Sequence, residues 1–352
     1  MRQEAMKKID ISKLVKPVVR DIRAYEAREM PCAVKLHANE SPYGMDGQFA
    51  TVLKSFESNR YPDPEARGLK KIAAKWFRVA PAMLLQGNGS DELIFNIVAT
   101  FGGPVLYPSP TFTMYGHVSR TLGEKVIAVA LDNEFDIDLG KTLTAIRKER
   151  PKLIFLSIPN NPTGNCFSKE KTMEILGASK GIVVIDEAYH PFSGRKGFVP
   201  LLKDHKNLAI MKTVSKIGLA ALRIGFLIAD TQIIGEVNKV RLPYNVNALS
   251  QAVGARILED HNRLKQSIKA VIKERKRLFF EMKKMESIRP FPSEANFILF
   301  RVKDPDGLYN TLLERGLLLR NMNGVVKGCL RVTVGTRKEN NVFLEALRAS
   351  LP

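Results

Sequence analysis

LIFLSIPNNPTGNCFSKEKTMEILGASKGIVVIDEAY, residues 153–189, is the stretch whose reading decides the fold. It opens on Leu153-Ile154-Phe155-Leu156, apolar at every position. It closes on a second such run, Gly181-Ile182-Val183-Val184-Ile185, with an amphipathic segment between them. Strands apolar on both faces belong to a mostly parallel sheet covered by helices, because a strand with one wet face alternates instead. The same rhythm spreads outward from about Leu84 to Ala229. It takes in Pro104-Val105-Leu106-Tyr107, Leu208-Ala209-Ile210-Met211 and Gly225-Phe226-Leu227-Ile228-Ala229. The fold class is therefore α/β, with a large, mostly parallel sheet domain. Ligands in such sheets sit beyond the carboxyl ends of the strands. Three polar clusters fall there: Asn160-Asn161-Pro162-Thr163-Gly164, Asp186-Glu187-Ala188-Tyr189 and Ser215-Lys216.

Beyond about Val246 the pattern turns to long helices, followed by the strand-like Asn296-Phe297-Ile298-Leu299-Phe300 and Cys329-Leu330-Arg331-Val332-Thr333-Val334. This reads as a smaller α+β domain. The expected division is an arm over 1–44, packing with the small domain or a dimer partner, a large domain over 45–245 and a small domain over 246–352. The 352 residues suffice for two such cores.

The three cysteines, Cys32, Cys166 and Cys329, are far apart and odd in number, so they set neither a disulfide framework nor a zinc spacing. The N-terminus lacks the apolar stretch of a signal peptide, and no apolar run approaches membrane-spanning length. A cytoplasmic location without a membrane partner is expected. The formal charge of +19, from 55 basic and 36 acidic residues, could favour nucleic acid or an anionic substrate. Much of the excess lies between Arg263 and Lys284, where apolar residues recur at helical spacing. The basic residues there read mainly as a solvated outer face, and no nucleic-acid partner is expected.

Four features carry chemistry. Lys216 follows the apolar Leu208 to Met211 run, in the segment Lys212-Thr213-Val214-Ser215-Lys216 with its small hydroxylated neighbours, although alone it also reads as an exposed turn lysine. Asp186 ends a strand and needs a cationic partner if buried; the alternative is a helix cap. Tyr189, three residues on, can reach the same side. Gly87-Asn88-Gly89-Ser90-Asp91-Glu92 precedes a helical pattern, reading either as a phosphate-binding turn or as an ordinary cap with first-turn acids. A lysine for an aldehyde, an acid beside a pyridine nitrogen, donors for a phenolic oxygen and a phosphate cradle are the demands of pyridoxal 5'-phosphate (PLP).

Taken in order, the segments resemble fold-type I PLP aminotransferases, specifically the histidinol-phosphate aminotransferase family. The resemblance is carried by His37-Ala38-Asn39-Glu40-Ser41-Pro42-Tyr43-Gly44, Arg60-Tyr61-Pro62-Asp63-Pro64, Gly87 to Glu92, Tyr107-Pro108-Ser109-Pro110-Thr111-Phe112, Pro159 to Gly164, Asp186 to Tyr189, Ser215-Lys216 and Leu330 to Arg337. It implies Lys216 as the Schiff-base lysine and proton carrier between substrate Cα and cofactor C4', with Asp186 on the pyridine nitrogen. Asn161 and Tyr189 would bond the phenolic oxygen. Phe112, where the family more often has tyrosine, would stack on the ring. Ser90 and Asp91 through backbone amides, with Ser215 and Arg223, would hold the cofactor phosphate. Tyr61 would reach that phosphate from a neighbouring subunit, implying a homodimer with shared active sites.

Arg331, Arg320 and Tyr25 resemble substrate contacts, Arg331 holding the substrate phosphate. The implied activity is transfer of an amino group from L-histidinol phosphate to 2-oxoglutarate, giving imidazole acetol phosphate and glutamate with ping-pong kinetics. Aromatic amino acid aminotransferases and threonine-phosphate decarboxylases share much of the pattern and are the alternatives. One departure stands out. The step from Lys216 to Arg223 is one residue shorter than the family's, so the segment between them needs an altered turn.

Overall fold

The computed structural model describes residues 9–22, 24, 30–45, 49–53, 57–260 and 262–351. The arm reaches the body through β1 (Val34–Lys35). The middle of the chain holds β2 (Leu84–Asn88), β3 (Val105–Ser109), β4 (Val126–Ala130), β5 (Leu153–Ser157), β6 (Ile182–Asp186), β7 (Leu208–Thr213) and β8 (Ile224–Ala229). These form one seven-stranded sheet in the order β2-β8-β7-β6-β5-β3-β4. Pairings among β3 to β7 are parallel, whereas β8 runs against both β7 and β2.

Alternate residues of each strand feed two cores. Ile154, Leu156, Ile185 and Ile210 pack on one face of the sheet. Leu153, Phe155, Val184 and Met211 pack on the other. This two-sided burial is why the strands read as unbroken apolar runs.

The chain leaves β3 towards β4 on one side and returns to β5 on the other. The order therefore reverses between β3 and β5, and a crevice opens at their carboxyl ends. Ser157 of β5 is in register with Asp186 of β6, and Asp186 with Met211 of β7, so β5 and β6 finish level while β7 runs on to Thr213.

The C-terminal part of the chain holds β9 (Ile288–Pro290), β10 (Phe297–Val302), β11 (Leu317–Leu318), β12 (Arg320–Asn321) and β13 (Cys329–Thr333). An antiparallel sheet of order β12-β13-β10-β9 forms its centre, and β11 pairs in parallel with β1 of the arm. The helix Asn262–Lys283 buries Leu264, Val271, Leu278 and Met282. The basic surface expected of this segment has an exception in Arg275, which is buried and donates to the carbonyls of Phe192 at 3.1 Å and Ala295 at 2.7 Å. Those acceptors lie far away in sequence, so helical periodicity alone could not reveal them.

Candidate active site

The carboxyl ends of β3, β5, β6 and β7 open into a cleft of two joined parts. The inner part is bounded by Ser90, Asp186, Ser215 and Arg223, the outer by His37, Asn39, Arg320 and Arg331. Asp91, Phe112, Asn161, Tyr189 and Lys216 line both. The outer part has a volume of about 310 Å³.

Asp186 lies at the floor, 3% exposed. Its carboxylate accepts from the Tyr115 hydroxyl at 2.7 Å and from the backbone N–H of Ala188 at 3.0 Å. Burial lifts the carboxyl from 3.8 to about 6, partly offset by these two donors. Tyr115, itself fully buried and stacked on Phe155 at 4.8 Å, is held well above the ordinary phenol range by desolvation and by the adjacent Asp186. A buried carboxylate facing a cleft favours a cation there. The helix-cap alternative for Asp186 does not hold, because β6 is followed by a turn at Ala188 and Tyr189 and then a short 3-10 helix over His190–Phe192 whose cap position is Tyr189.

Lys216 sits in a tight helical turn over Ser215–Ile217. Its Nζ lies 3.5 Å from the Ala38 carbonyl and 5.8 Å from the centre of the Tyr189 ring. The shortened step to Arg223 is accommodated by a second tight turn over Ala220–Leu222, with Gly218 at φ 111° and Arg223 at φ 51°. An added Cβ on Gly218 would lie 2.5 Å from the Tyr43 carbonyl, so this turn requires glycine twice over. Both Lys216 and Arg223 thereby reach the inner cleft.

Gly89, Ser90 and Asp91 begin the helix Gly89–Phe101. The ordinary-cap reading of Ser90 is corrected: the helix starts one residue before it, and the cap position is Asn88. The carboxylate of Glu92 turns back to the Asn88 backbone N–H, away from the cleft, while Asp91 accepts from Arg223 Nη2 at 3.1 Å. A Cβ on Gly89 would lie 2.5 Å from Arg223 Nη2, and one on Gly225 would lie 2.9 Å from the Ser90 nitrogen. Two bare backbones, a helix start, the Ser215 hydroxyl and a guanidinium thus form a cradle with the donor set and positive field that suit a phosphate. Thr213 supports it, with its hydroxyl accepting the Ser215 N–H at 3.1 Å.

Across the cleft, Arg331 is 7% exposed and donates to Asn161 Oδ1 at 2.5 Å and to the His37 carbonyl at 2.7 Å. Arg320 is its direct neighbour across the β12–β13 ladder. Two guanidiniums side by side in a cleft fit an anion. Phe112 meets Tyr115 edge-on at 5.6 Å and lines both parts.

Two expected residues stand apart. Tyr61 is 82% exposed, stacks on Tyr244 at 4.7 Å and is not among the residues lining this cleft. Tyr25 lies outside the described residues. Conversely, Tyr115, Thr213 and Asn39 reach the site without having been assigned a part. Tyr115 follows Phe112 by one helical turn, a spacing that could have pointed to it. Asn39 stood within a recognised motif but carried no chemistry of its own.

The family model for class I and II aminotransferases matches residues 25–347. A histidinol-phosphate aminotransferase from Aquifex aeolicus is 44% identical over 346 residues, covering 95% of this chain and 97% of its own. The chain belongs to the histidinol-phosphate aminotransferase family. Among solved structures, the family's enzyme from Clostridium acetobutylicum superposes with a TM-score of 0.84 at 26% identity, covering 90% of this chain and 98% of its own. The Sinorhizobium meliloti enzyme, solved in complex with pyridoxal-5'-phosphate, shares the fold with a TM-score of 0.84 at 21% identity, covering 99% and 100%. The architecture is thus that of fold-type I aminotransferases.

Proposed function

We propose that this chain catalyses the PLP-dependent transfer of an amino group from L-histidinol phosphate to 2-oxoglutarate, giving imidazole acetol phosphate and glutamate in histidine biosynthesis. One observation carries the reading. Lys216, Asp186, Asn161 and Tyr189 line one cleft that has a phosphate cradle at one end and the Arg320–Arg331 pair at the other. A cofactor and a substrate that each bear a phosphate fit such a two-ended site.

When bound, PLP supplies an aldehyde that takes up the amino group and a cationic ring that draws electrons from the substrate Cα. The protein does the rest. Gly89, Ser90 and Asp91 through their backbone, with Ser215 and Arg223, hold the cofactor phosphate. Asp186 keeps the ring nitrogen protonated, and the cation in turn stabilises its buried carboxylate. Phe112 covers one ring face, while Asn161 and Tyr189 donate to the phenolic oxygen. Arg331 and Arg320 orient the substrate phosphate, and Tyr25 belongs to the same contact set. Lys216 would be the base whose Nζ lifts the proton from the substrate Cα and carries it to C4'. Two substrates that use this one site in turn would give ping-pong kinetics.

The exposed Tyr61 ring supports a homodimer in which it completes the partner's phosphate cradle. The arm over 1–44, large domain over 45–245 and small domain over 246–352 are the proposed units, with β1 tying the arm to the small domain. The proposed location is cytoplasmic; among the described residues no helix is long and apolar enough to cross a membrane.

The test is a comparison of kcat/KM for L-histidinol phosphate and phenylalanine, each with 2-oxoglutarate, alongside carbon dioxide release from threonine phosphate. A preference for histidinol phosphate without carbon dioxide release is expected. A preference for phenylalanine, or decarboxylation, would overturn the substrate assignment.

A further inference from the structure

Asn39 is 1% exposed and adopts the left-handed φ of 56°. Its backbone is held from two sides: its N–H donates to Thr333 Oγ1 at 3.0 Å, and its carbonyl accepts from Asn296 Nδ2 at 2.9 Å. The Thr333 hydroxyl, having accepted that N–H, lies 3.3 Å from Asn39 Oδ1 and donates its single hydrogen there. This sets the amide with its nitrogen turned the other way, and Nδ2 donates to the Tyr189 hydroxyl at 2.9 Å. The Tyr189 ring is fixed as well. It is 5% exposed and packs edge-on against Phe297 at 5.1 Å.

A phenol has one hydrogen to give and two lone pairs to fill. Because Asn39 fills a lone pair, the Tyr189 hydrogen stays available for an acceptor in the cleft. We infer that Asn39 is a positioning residue that fixes the Tyr189 hydroxyl as a hydrogen-bond donor towards the phenolic oxygen of the cofactor. This rests on the proposed PLP reading of the cleft. The arm thereby reaches the electronics of the reaction without touching the reacting atoms. Donation from Tyr189 draws electron density from the phenolic oxygen and from the conjugated nitrogen joined to the cofactor, so that nitrogen gives up its proton at a lower pH.

The experiment is a pH titration of the bound cofactor's visible absorbance in the PLP-loaded protein without substrate. Four proteins are compared with wild type: Tyr189→Phe, Asn39→Gly, Asn39→Asp and the double variant Asn39→Gly/Tyr189→Phe. Glycine accepts the left-handed backbone and removes the donor without adding charge. Aspartate also tolerates that backbone, keeps an oxygen towards Thr333 and turns the donor into an acceptor that captures the Tyr189 hydrogen. The native charged and titratable groups around the cleft, His37, Asp91, Asp186, Lys216, Arg223, Arg320 and Arg331, are the same in every protein.

Tyr189→Phe is expected to move the transition up by roughly one pH unit. Asn39→Asp should do nearly the same and Asn39→Gly somewhat less. The double variant should sit where Tyr189→Phe sits, because a contact that acts through the hydroxyl is non-additive. Should Tyr189→Phe leave the transition in place, the role of Tyr189 fails and the inference with it. A shift in Tyr189→Phe with none in either Asn39 variant overturns the inference alone. So does an Asn39→Gly shift that persists undiminished in the double variant.

Discussion

Asp186→Asn, made in the protein stripped of its cofactor, is expected to stabilise the fold while damaging the site. The carboxyl is 3% exposed, and burial raises it from 3.8 to about 6 despite donation from Tyr115 and Ala188. A folded-state value above the unfolded one means that the folded protein binds this proton more tightly than the unfolded chain does. Its contribution to stability is therefore complete below about pH 4 and is lost as the pH rises through about 6. At about 1.4 kcal/mol per pH unit, the interval from 3.8 to about 6 corresponds to about 3 kcal/mol lost by pH 8. Asparagine has the same shape, carries no charge and can bond both Tyr115 and the Ala188 N–H. Urea unfolding of the two cofactor-free proteins at pH 5 and pH 8, followed by circular dichroism, should show the variant ahead at pH 8 by up to about 3 kcal/mol, with the gap closing towards pH 5. With PLP bound the order should reverse, because the cationic ring nitrogen then compensates the carboxylate. A variant no more stable than wild type at pH 8, or one with the same pH dependence, would refute a buried uncompensated carboxylate.

Other perturbations probe the remaining parts. Lys216→Ala should abolish turnover, and tandem mass spectrometry after borohydride reduction should find the cofactor mass on Lys216 in wild type and nowhere in the variant. Arg331→Ala removes a buried charge-assisted contact worth about 1.5–3 kcal/mol, so KM for L-histidinol phosphate should rise roughly 10- to 100-fold in steady-state assays. Gly89→Ala places a Cβ 2.5 Å from Arg223 Nη2 at a φ of +79°. It should weaken PLP affinity in equilibrium dialysis and cost about 1–3 kcal/mol of stability. Tyr115→Phe leaves Asp186 with one donor fewer; PLP affinity should fall roughly 5- to 10-fold, since such a bond contributes about 1 kcal/mol or more.

The sheet was legible because β5, β6 and β7 are apolar on both faces, and two-sided burial leaves that mark in sequence. The direction of β8 was not, since Gly225 to Ala229 carries the same apolar run as its parallel neighbours and burial is blind to strand polarity. Asp186, Asn161 and Lys216 could be found because polar residues at strand ends stand out against such runs. Tyr115 and Asn39 could not, because each matters through a partner distant in sequence: Tyr115 through Asp186 on β6, and Asn39 through Tyr189 and Thr333. The tight turns between Lys216 and Arg223 were foreseen as a need, but their form depends on Gly218 meeting the Tyr43 carbonyl of the arm. Arg275 looked like one more surface charge until the carbonyls of Phe192 and Ala295 were brought to it by the fold.

If this cleft moves an amino group from L-histidinol phosphate onto its own cofactor, that transfer needs no keto acid. The deciding experiment mixes the PLP-loaded protein with L-histidinol phosphate in the absence of any keto acid. The predicted result is about one equivalent of imidazole acetol phosphate per chain, with glutamate appearing after 2-oxoglutarate is added. A loaded protein that binds L-histidinol phosphate yet yields no keto product would contradict it.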